Sequence, residues 1–207
     1  MTEDRRSHWE NVYETKTPEQ VSCTQAIPKT SLELIRACDN YQTKSIIDIG
    51  GGDSNLVDFL LADGCRDITI LDISVKAFER AKARLGENAA KVKWIVSDIN
   101  DFNPCQTYDI WHDRAAFHFL TEAEQIAKYV STVNGSVNEN LVIGTFSENG
   151  PKKCSGLDIT QYSESKMTDT FNGFERLSCQ TESHITPFGT AQHFIFCRFK
   201  RHKKSPV

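Results

Sequence analysis

The sequence has no apolar run long enough to cross a bilayer, and its first residues, MTEDRRSHWE, are charged. A membrane-spanning helix needs about 20 apolar residues, so a soluble, cytoplasmic chain without a membrane partner is expected. There is no C-x-x-C pair either: the seven cysteines, at 23, 38, 65, 105, 154, 179 and 197, are scattered and odd in number. That argues against a complete disulfide framework and predicts reduced thiols, and no metal is expected. Excess positive charge is also missing, since 24 Lys and Arg stand against 28 Asp and Glu for a net charge of −4. A broad electrostatic footprint for nucleic acid is therefore absent, and no such partner is expected. The one basic cluster, Lys200 to Lys204, lies at the end of the chain. Residues 201–207 are read as a solvated basic tail rather than a phosphate-binding arm.

What is present is ordinary globular composition: 207 residues, 39% hydrophobic and 25% charged. That is enough for one domain with a sizeable core. Short Ile- and Val-rich runs alternate with amphipathic stretches, which predicts strands alternating with helices and a parallel sheet. The predicted strands are 45–49, 67–71, 92–96, 108–111 and 141–146. Helices are predicted from Ser54 to Leu61, from Ser74 to Leu85 with Ser74 as N-cap and Gly86 as stop, and from a capping box at Thr121 to Glu124. That third helix is expected to turn Ile126, Val130 and Val133 inward. Another helix opens near Pro28, with Leu32, Ile35 and Ala37 available for packing, and an aromatic segment from His8 to Tyr13 precedes it. Residues 1–43 are thus an N-terminal helical cap or lid and 44–200 the core. Two extended stretches, 173–184 and 190–200, are joined by Thr186-Pro-Phe-Gly189, a hairpin signal that predicts an antiparallel end to the sheet.

The most informative stretch runs from Ile46 to Ser54, where a strand ends in Gly50, Gly51 and Gly52 and opens into a helix. Glycines there permit a tight turn and let backbone N–H groups approach a ligand that a Cβ would push away. Counting from Gly50, the third glycine of a dinucleotide fingerprint is replaced by Asn55, and no Gly-Lys-Ser/Thr follows for a phosphate loop. Asp48 precedes the glycines instead, and an acidic loop suits a cofactor carrying an ammonium and a sulfonium. The second strand ends at Asp72, where a carboxylate can accept from both ribose hydroxyls. The third ends at Asp98, able to accept from an adenine amino group while Ile73 and Ile99 sandwich the ring. Each acid also has a structural reading, as helix-terminus charge or turn residue.

With these residues the chain resembles the class I S-adenosylmethionine-dependent methyltransferases from Lys44 to Lys200. The resemblance implies a Rossmann-like α/β fold: seven strands, mostly parallel, with an antiparallel strand in a C-terminal hairpin and helices on both faces. It implies S-adenosyl-L-methionine as cofactor, with contacts expected from Asp48, Gly50, Gly51, Gly52, Asp53, Ser54, Asp72, Ile73, Ser74, Asp98, Ile99 and His112. Ser54 stands where the family often has a further glycine.

The fourth strand leads into a polar and aromatic segment, Tyr108 to Leu120. In the methyltransferase fold this edge faces the transferable methyl, so His112, Asp113 and His118 are candidates for orienting or deprotonating an acceptor. Their structural alternative is an Asp113–Arg114 pair and a satisfied core histidine. Two long loops, 13–28 and 147–158, are expected to close over the same edge, which makes Tyr13, Lys16, Gln25, Arg114 and Cys154 the expected substrate contacts. The pattern His8-Trp9, Tyr13, Lys16, Val21-Ser22, Gln25, Pro28 and Ser31-Leu32 also resembles a narrower group of small methyltransferases. That group is related to the enzymes that methylate lysine in citrate synthase and in translation elongation factors, with Cys23 where many members have an aromatic residue. The acceptor is accordingly read as a small molecule or a protein lysine. A soft acceptor such as a thiol or arsenite, with Cys23 and Cys154 as ligands, and a non-catalytic cofactor-binding module are the alternatives.

Overall fold

A computed structural model describes residues 2–202. Residues 203–207 of the expected basic tail lie outside the described residues, whereas Lys200 and Arg201 belong to the last strand. The chain runs α1 (Thr2–Thr15), α2 (Lys29–Arg36), β1 (Ser45–Ile49), α3 (Leu56–Ala62), β2 (Asp67–Asp72), α4 (Val75–Leu85), β3 (Val92–Val96) and β4 (Tyr108–Arg114). It continues through α5 (Ala123–Ser136), β5 (Val137–Phe146), β6 (Lys153–Cys154), β7 (Leu157–Asp158), α6 (Glu164–Thr170), β8 (Phe174–Ile185) and β9 (Ala191–Arg201).

Seven strands form one sheet in the order β3-β2-β1-β4-β5-β9-β8. All neighbouring pairs from β3 to β5 are parallel, and β9 runs antiparallel to both β5 and β8. The alternation of side chains along each strand splits the core into two layers. Ile46, Ile68, Ile70 and Ile110 pack with Leu32, Ile35, Leu56, Leu60 and Phe78 on one face. Ile47, Ile49, Leu71 and Trp111 pack with Tyr129, Val133, Met167 and Phe171 on the other. Among the described residues, no helix is long and apolar enough to cross a membrane.

Several boundaries follow from local chemistry. Ser74 caps α4 by accepting from Ala77 N at 3.2 Å, and Gly86 ends it with φ +56°. Helix α5 starts one residue later than expected: Glu122, not Thr121, is the N-cap, and the reciprocal partner is Gln125. Its buried face carries Tyr129 and Val133, with Ile126 and Val130 half-buried. Ala37 is exposed, and Leu34 and Cys38 take the packing role. The 147–158 stretch is not an open loop but holds the β6–β7 ribbon. The expectation of reduced thiols throughout is also corrected. Cys179 and Cys197 sit opposite each other in the β8–β9 ladder and are joined by a disulfide, a pairing fixed by the hairpin register rather than by cysteine spacing. Cys23, Cys38, Cys65, Cys105 and Cys154 are free.

Candidate active site

Strand order reverses between β1 and β4, and the crevice outside the carboxyl ends at such a switch point is where open α/β sheets bind ligands. A half-open cavity lies there. At its floor the chain leaves β1 through Gly50, whose φ of +67° is left-handed and whose added Cβ would sit 2.7 Å from that of Ala116. Gly51 and Gly52 are under the same constraint for different reasons. A Cβ on Gly51 would lie 2.2 Å from Oδ2 of Asp48, and one on Gly52 would lie 2.5 Å from Oδ2 of Asp72.

Of the residues expected to contact a cofactor, Gly50, Asp72, Ile73, Asp98 and Ile99 line this cavity. Asp72 is buried; its Oδ2 accepts from Gly52 N at 3.0 Å and its Oδ1 from Ser74 N at 2.9 Å. Burial pushes its carboxyl up to about 6, with the nearby Asp48 acting in the same direction against the backbone N–H donors. Asp98 is differently arranged. Its Oδ1 accepts from the backbone and side-chain nitrogens of Asn100 at 2.9 and 3.1 Å. Its Oδ2 is buried with no hydrogen-bond donor among the described residues, the nearest charge being Nη1 of Arg5 at 3.8 Å.

The other expected contacts act beneath the cavity or beside it. Asp53 is tied to Arg84 at 2.8 Å and Arg80 at 3.4 Å, and the Oγ of Ser54 accepts from Leu56 N at 3.1 Å at the start of α3. Asp48 and His112 are register partners on β1 and β4, on the face covered by α2. Nδ1 of His112 lies 2.6 Å from Oδ1 of Asp48, and Nε2 lies 2.9 Å from Oγ of Ser31 on α2, so this buried chain stitches sheet to helix. Asp113 falls on the opposite face because strand side chains alternate. It accepts from Tyr129 Oη at 2.8 Å and from the N–H groups of Ala116 and Phe117 at 3.0 Å each, holding the turn in which Ala115 has φ +67°. Burial pushes the Asp113 carboxyl up to about 6. His118 is fully buried, stacked on Phe146 at 4.6 Å, and both its ring nitrogens lack partners among the described residues. Burial drives its pKa down to about 3, so the ring is neutral. None of His112, Asp113 and His118 lines the cavity.

Of the expected substrate contacts, Tyr13 and Arg114 line the cavity, together with Cys23. Lys16 is exposed and its carbonyl accepts from Arg80, while Gln25 donates to Glu182 at 2.8 Å. Cys154 is buried with its Sγ 3.9 Å from Ser22 Oγ, which joins the two loops outside the cavity.

The helical cap expected over residues 1–43 supplies a wall through α1, although only Tyr13 of its lining residues was expected at the site. Arg5, Trp9 and Tyr13, spaced by four, all line the cavity from one face of this helix, and Trp9 meets Phe119 edge-on at 5.2 Å. Glu10, on the adjoining face, accepts from Val75 N at 2.8 Å, Lys76 N at 3.0 Å and Ser74 Oγ at 2.8 Å. A carboxylate from one helix thereby caps the N-terminus of α4 and latches α1 over the cavity. The i, i+4, i+8 spacing was the available signal.

Comparison with known proteins agrees with this architecture. Residues 46–138 match the model of a family described as a methyltransferase domain. A malonyl-[acyl-carrier protein] O-methyltransferase of Anoxybacillus flavithermus is 32% identical over 111 residues, covering 52% of this chain; the chain spans only 41% of that protein's length. Among solved structures, one described for the conversion of a disulfide bond into a thioacetal group during echinomycin biosynthesis superposes with a TM-score of 0.74 at 19% identity, over 99% of this chain and 94% of that one. The N-methyltransferase NodS of Bradyrhizobium japonicum WM9, solved with S-adenosyl-L-homocysteine, gives a TM-score of 0.67 at 15% identity over 97% and 96%. The narrower likeness to lysine methyltransferases finds no support among these three, and at 15–19% identity the two solved structures show the Rossmann-like fold alone.

Proposed function

We propose that this S-adenosylmethionine-dependent methyltransferase transfers its methyl group to a small-molecule acceptor, held where Tyr13, Cys23 and Arg114 close the cavity. The observation that carries the reading is that Gly50, Asp72 and Asp98, from three different strand ends, converge on one cavity. The cofactor, when bound, supplies a methyl group already activated on a sulfonium. The residues present fit it. Gly50 brings bare backbone to the cavity where no Cβ fits against Ala116, and the free lone pairs of Asp72 suit two ribose hydroxyls. The unpartnered Oδ2 of Asp98 suits an exocyclic amino donor, with Ile73 and Ile99 as apolar walls.

His112 and Asp113 serve as positioning residues, and His118 fills the core against Phe146. Asp48 and His112 hold β1, β4 and α2 in register under the glycine turn, and Asp113 fixes the turn after β4. Burial holds the Tyr13 hydroxyl and the Cys23 thiol in their neutral forms, so neither is a ready base. Alignment of donor and acceptor then supplies most of the acceleration, up to roughly 7–11 kcal/mol in favourable systems. The same neutral state weakens the thiol or arsenite reading, since burial pushes the Cys154 thiol up to about 12. The lysine reading is weakened by the guanidinium of Arg114 at the acceptor end, which repels an ammonium group.

The test is incubation with methyl-labelled cofactor and a cell extract, followed by separation of small molecules from protein. Label in the small-molecule fraction, lost in Asp72→Ala, is expected. Label confined to protein would replace this reading with the lysine one, and cofactor binding with no transfer would leave a binding module.

A further inference from the structure

Arg114 ends β4 and pairs in register with Gly144 of β5, so its backbone is fixed by the sheet. Its side chain is held on two further sides. Nη1 donates to the Cys23 carbonyl at 2.7 Å, and the guanidinium lies over the Phe194 ring with its carbon 4.8 Å from the centroid. The opposite edge of the group, Nε and Nη2, is buried and has no hydrogen-bond acceptor among the described residues. No carboxylate pairs with it among the described residues: Glu182 accepts from Gln25 at 2.8 Å, and Asp48 meets His112 at 2.6 Å through Oδ1 while its own Oδ2 has no partner. A cation withdrawn from water with two adjacent donors unused is costly unless an anion completes it.

Nε and Nη2 present parallel N–H bonds in one plane, the fork that matches the two oxygens of a carboxylate. Arg114 lines the cavity with Gly50, Ala115, Cys23 and Tyr13, and it ends β4, three strands across the sheet from β3, which Asp98 and Ile99 follow. On the reading proposed above, the β4 end is where the methyl group is presented. Resting on that reading, we infer that the methyl acceptor is an organic acid whose carboxylate is bound side-on by the Nε–Nη2 edge of Arg114. With both carboxylate oxygens engaged, the atom that receives the methyl is another nucleophile of the same molecule. The Phe194 face and the Cys23 carbonyl set the plane of the fork, so they fix the direction from which the acid enters.

The experiment uses the full chain saturated with S-adenosylhomocysteine. Acetate, malonate and benzoate, each against its amide, are titrated by ligand-observed NMR. At least one acid is expected to bind ten times more tightly than its amide. In Arg114→Gln the ratio falls below two while S-adenosylhomocysteine affinity stays within threefold, and Arg114→Lys, which keeps the charge without the fork, falls between. Equal binding of acids and amides by the native protein would overturn the inference, and that measurement needs no variant to fold. A loss of S-adenosylhomocysteine affinity of tenfold or more in Arg114→Gln would also overturn it, by giving the fork to the cofactor's own carboxylate. Either failure leaves transfer of label to extract small molecules intact. When that transfer succeeds, labelled products that mass spectrometry shows to carry no carboxyl group would likewise count against an acid.

Discussion

Replacing Asp72 by Asn keeps the size of the side chain and removes its charge, which separates what the carboxylate does for the fold from what it does for the cofactor. In the free protein its oxygens accept from Gly52 N and Ser74 N at 3.0 and 2.9 Å. Its pKa of about 6 lies some two units above the ordinary 3.8, because burial disfavours the charged form. A raised carboxyl is most favourable to the fold when protonated: its contribution is complete below about pH 4 and is lost as pH rises through 6, at most about 3 kcal/mol. Asn removes that penalty at pH 7.5 but turns an NH2 toward one backbone donor, which costs about 1–3 kcal/mol. The two effects nearly cancel, so the thermal midpoint should move little. Binding should move much more, since hydrogen bonds to a charged acceptor contribute about 1.5–3 kcal/mol, or roughly a 10- to 150-fold loss of affinity. Calorimetric titration with S-adenosylhomocysteine at pH 7.5 reads this directly. Native affinity should also decline as pH falls through 6, whereas the variant's should stay flat. An Asp72→Asn affinity within threefold of native, or parallel pH profiles, would refute the ribose assignment.

Glu10→Ala removes the carboxylate that caps α4 and latches α1; it should cost about 0.5–2 kcal/mol, and hydrogen exchange across 2–15 should accelerate, with weaker cofactor binding. His118→Phe should keep methyl transfer. It should also remove acid sensitivity: a histidine at about 3 in the fold and 6.5 outside it loses stability as pH falls below 6.5, so the variant's advantage over native in urea unfolding should be about 2 kcal/mol larger at pH 5 than at pH 7.5. Loss of transfer with the fold intact would return His118 to the chemistry. Gly52→Ala drives a Cβ to within 2.6 Å of Ala77 Cβ and 2.5 Å of Asp72 Oδ2 and should cost about 1–3 kcal/mol. Gly135→Ala, in α5 with nothing within 4 Å, should instead gain roughly 0.5–1 kcal/mol in the same melt.

Much of this architecture was legible because it is local. Alternating Ile and Val runs give β1, β2 and β3 nearly to the residue, and Ser74 and Gly86 bound α4 by capping chemistry that depends only on neighbours. The terminal hairpin was equally plain from Thr186 to Gly189. Placing Asp72, Asp98, Ile73 and Ile99 around one cavity needed only the rule that parallel strands end on the same edge.

What sequence order left undecided was the direction of side chains and the pairing of distant segments. His112 and Asp113 are consecutive, so on a strand they point to opposite faces, one under α2 and the other under α5. Only the extension of β4 to Arg114 reveals that both are buried. Cys179 and Cys197 become partners through hairpin register, and Glu10 reaches α4 across 64 to 66 residues of chain. The sequence by itself determined β1 to β5, the terminal hairpin, α2 to α5 and the acids that end β2 and β3, because those follow from local periodicity and capping; it did not disclose α6, the β6–β7 ribbon or the strand order. The tertiary structure alone decided which polar groups are satisfied inside and which, like the free edge of Arg114 and Oδ2 of Asp98, remain without a partner. Satisfaction depends on what long-range packing brings within hydrogen-bond distance, and no spacing along the chain encodes that.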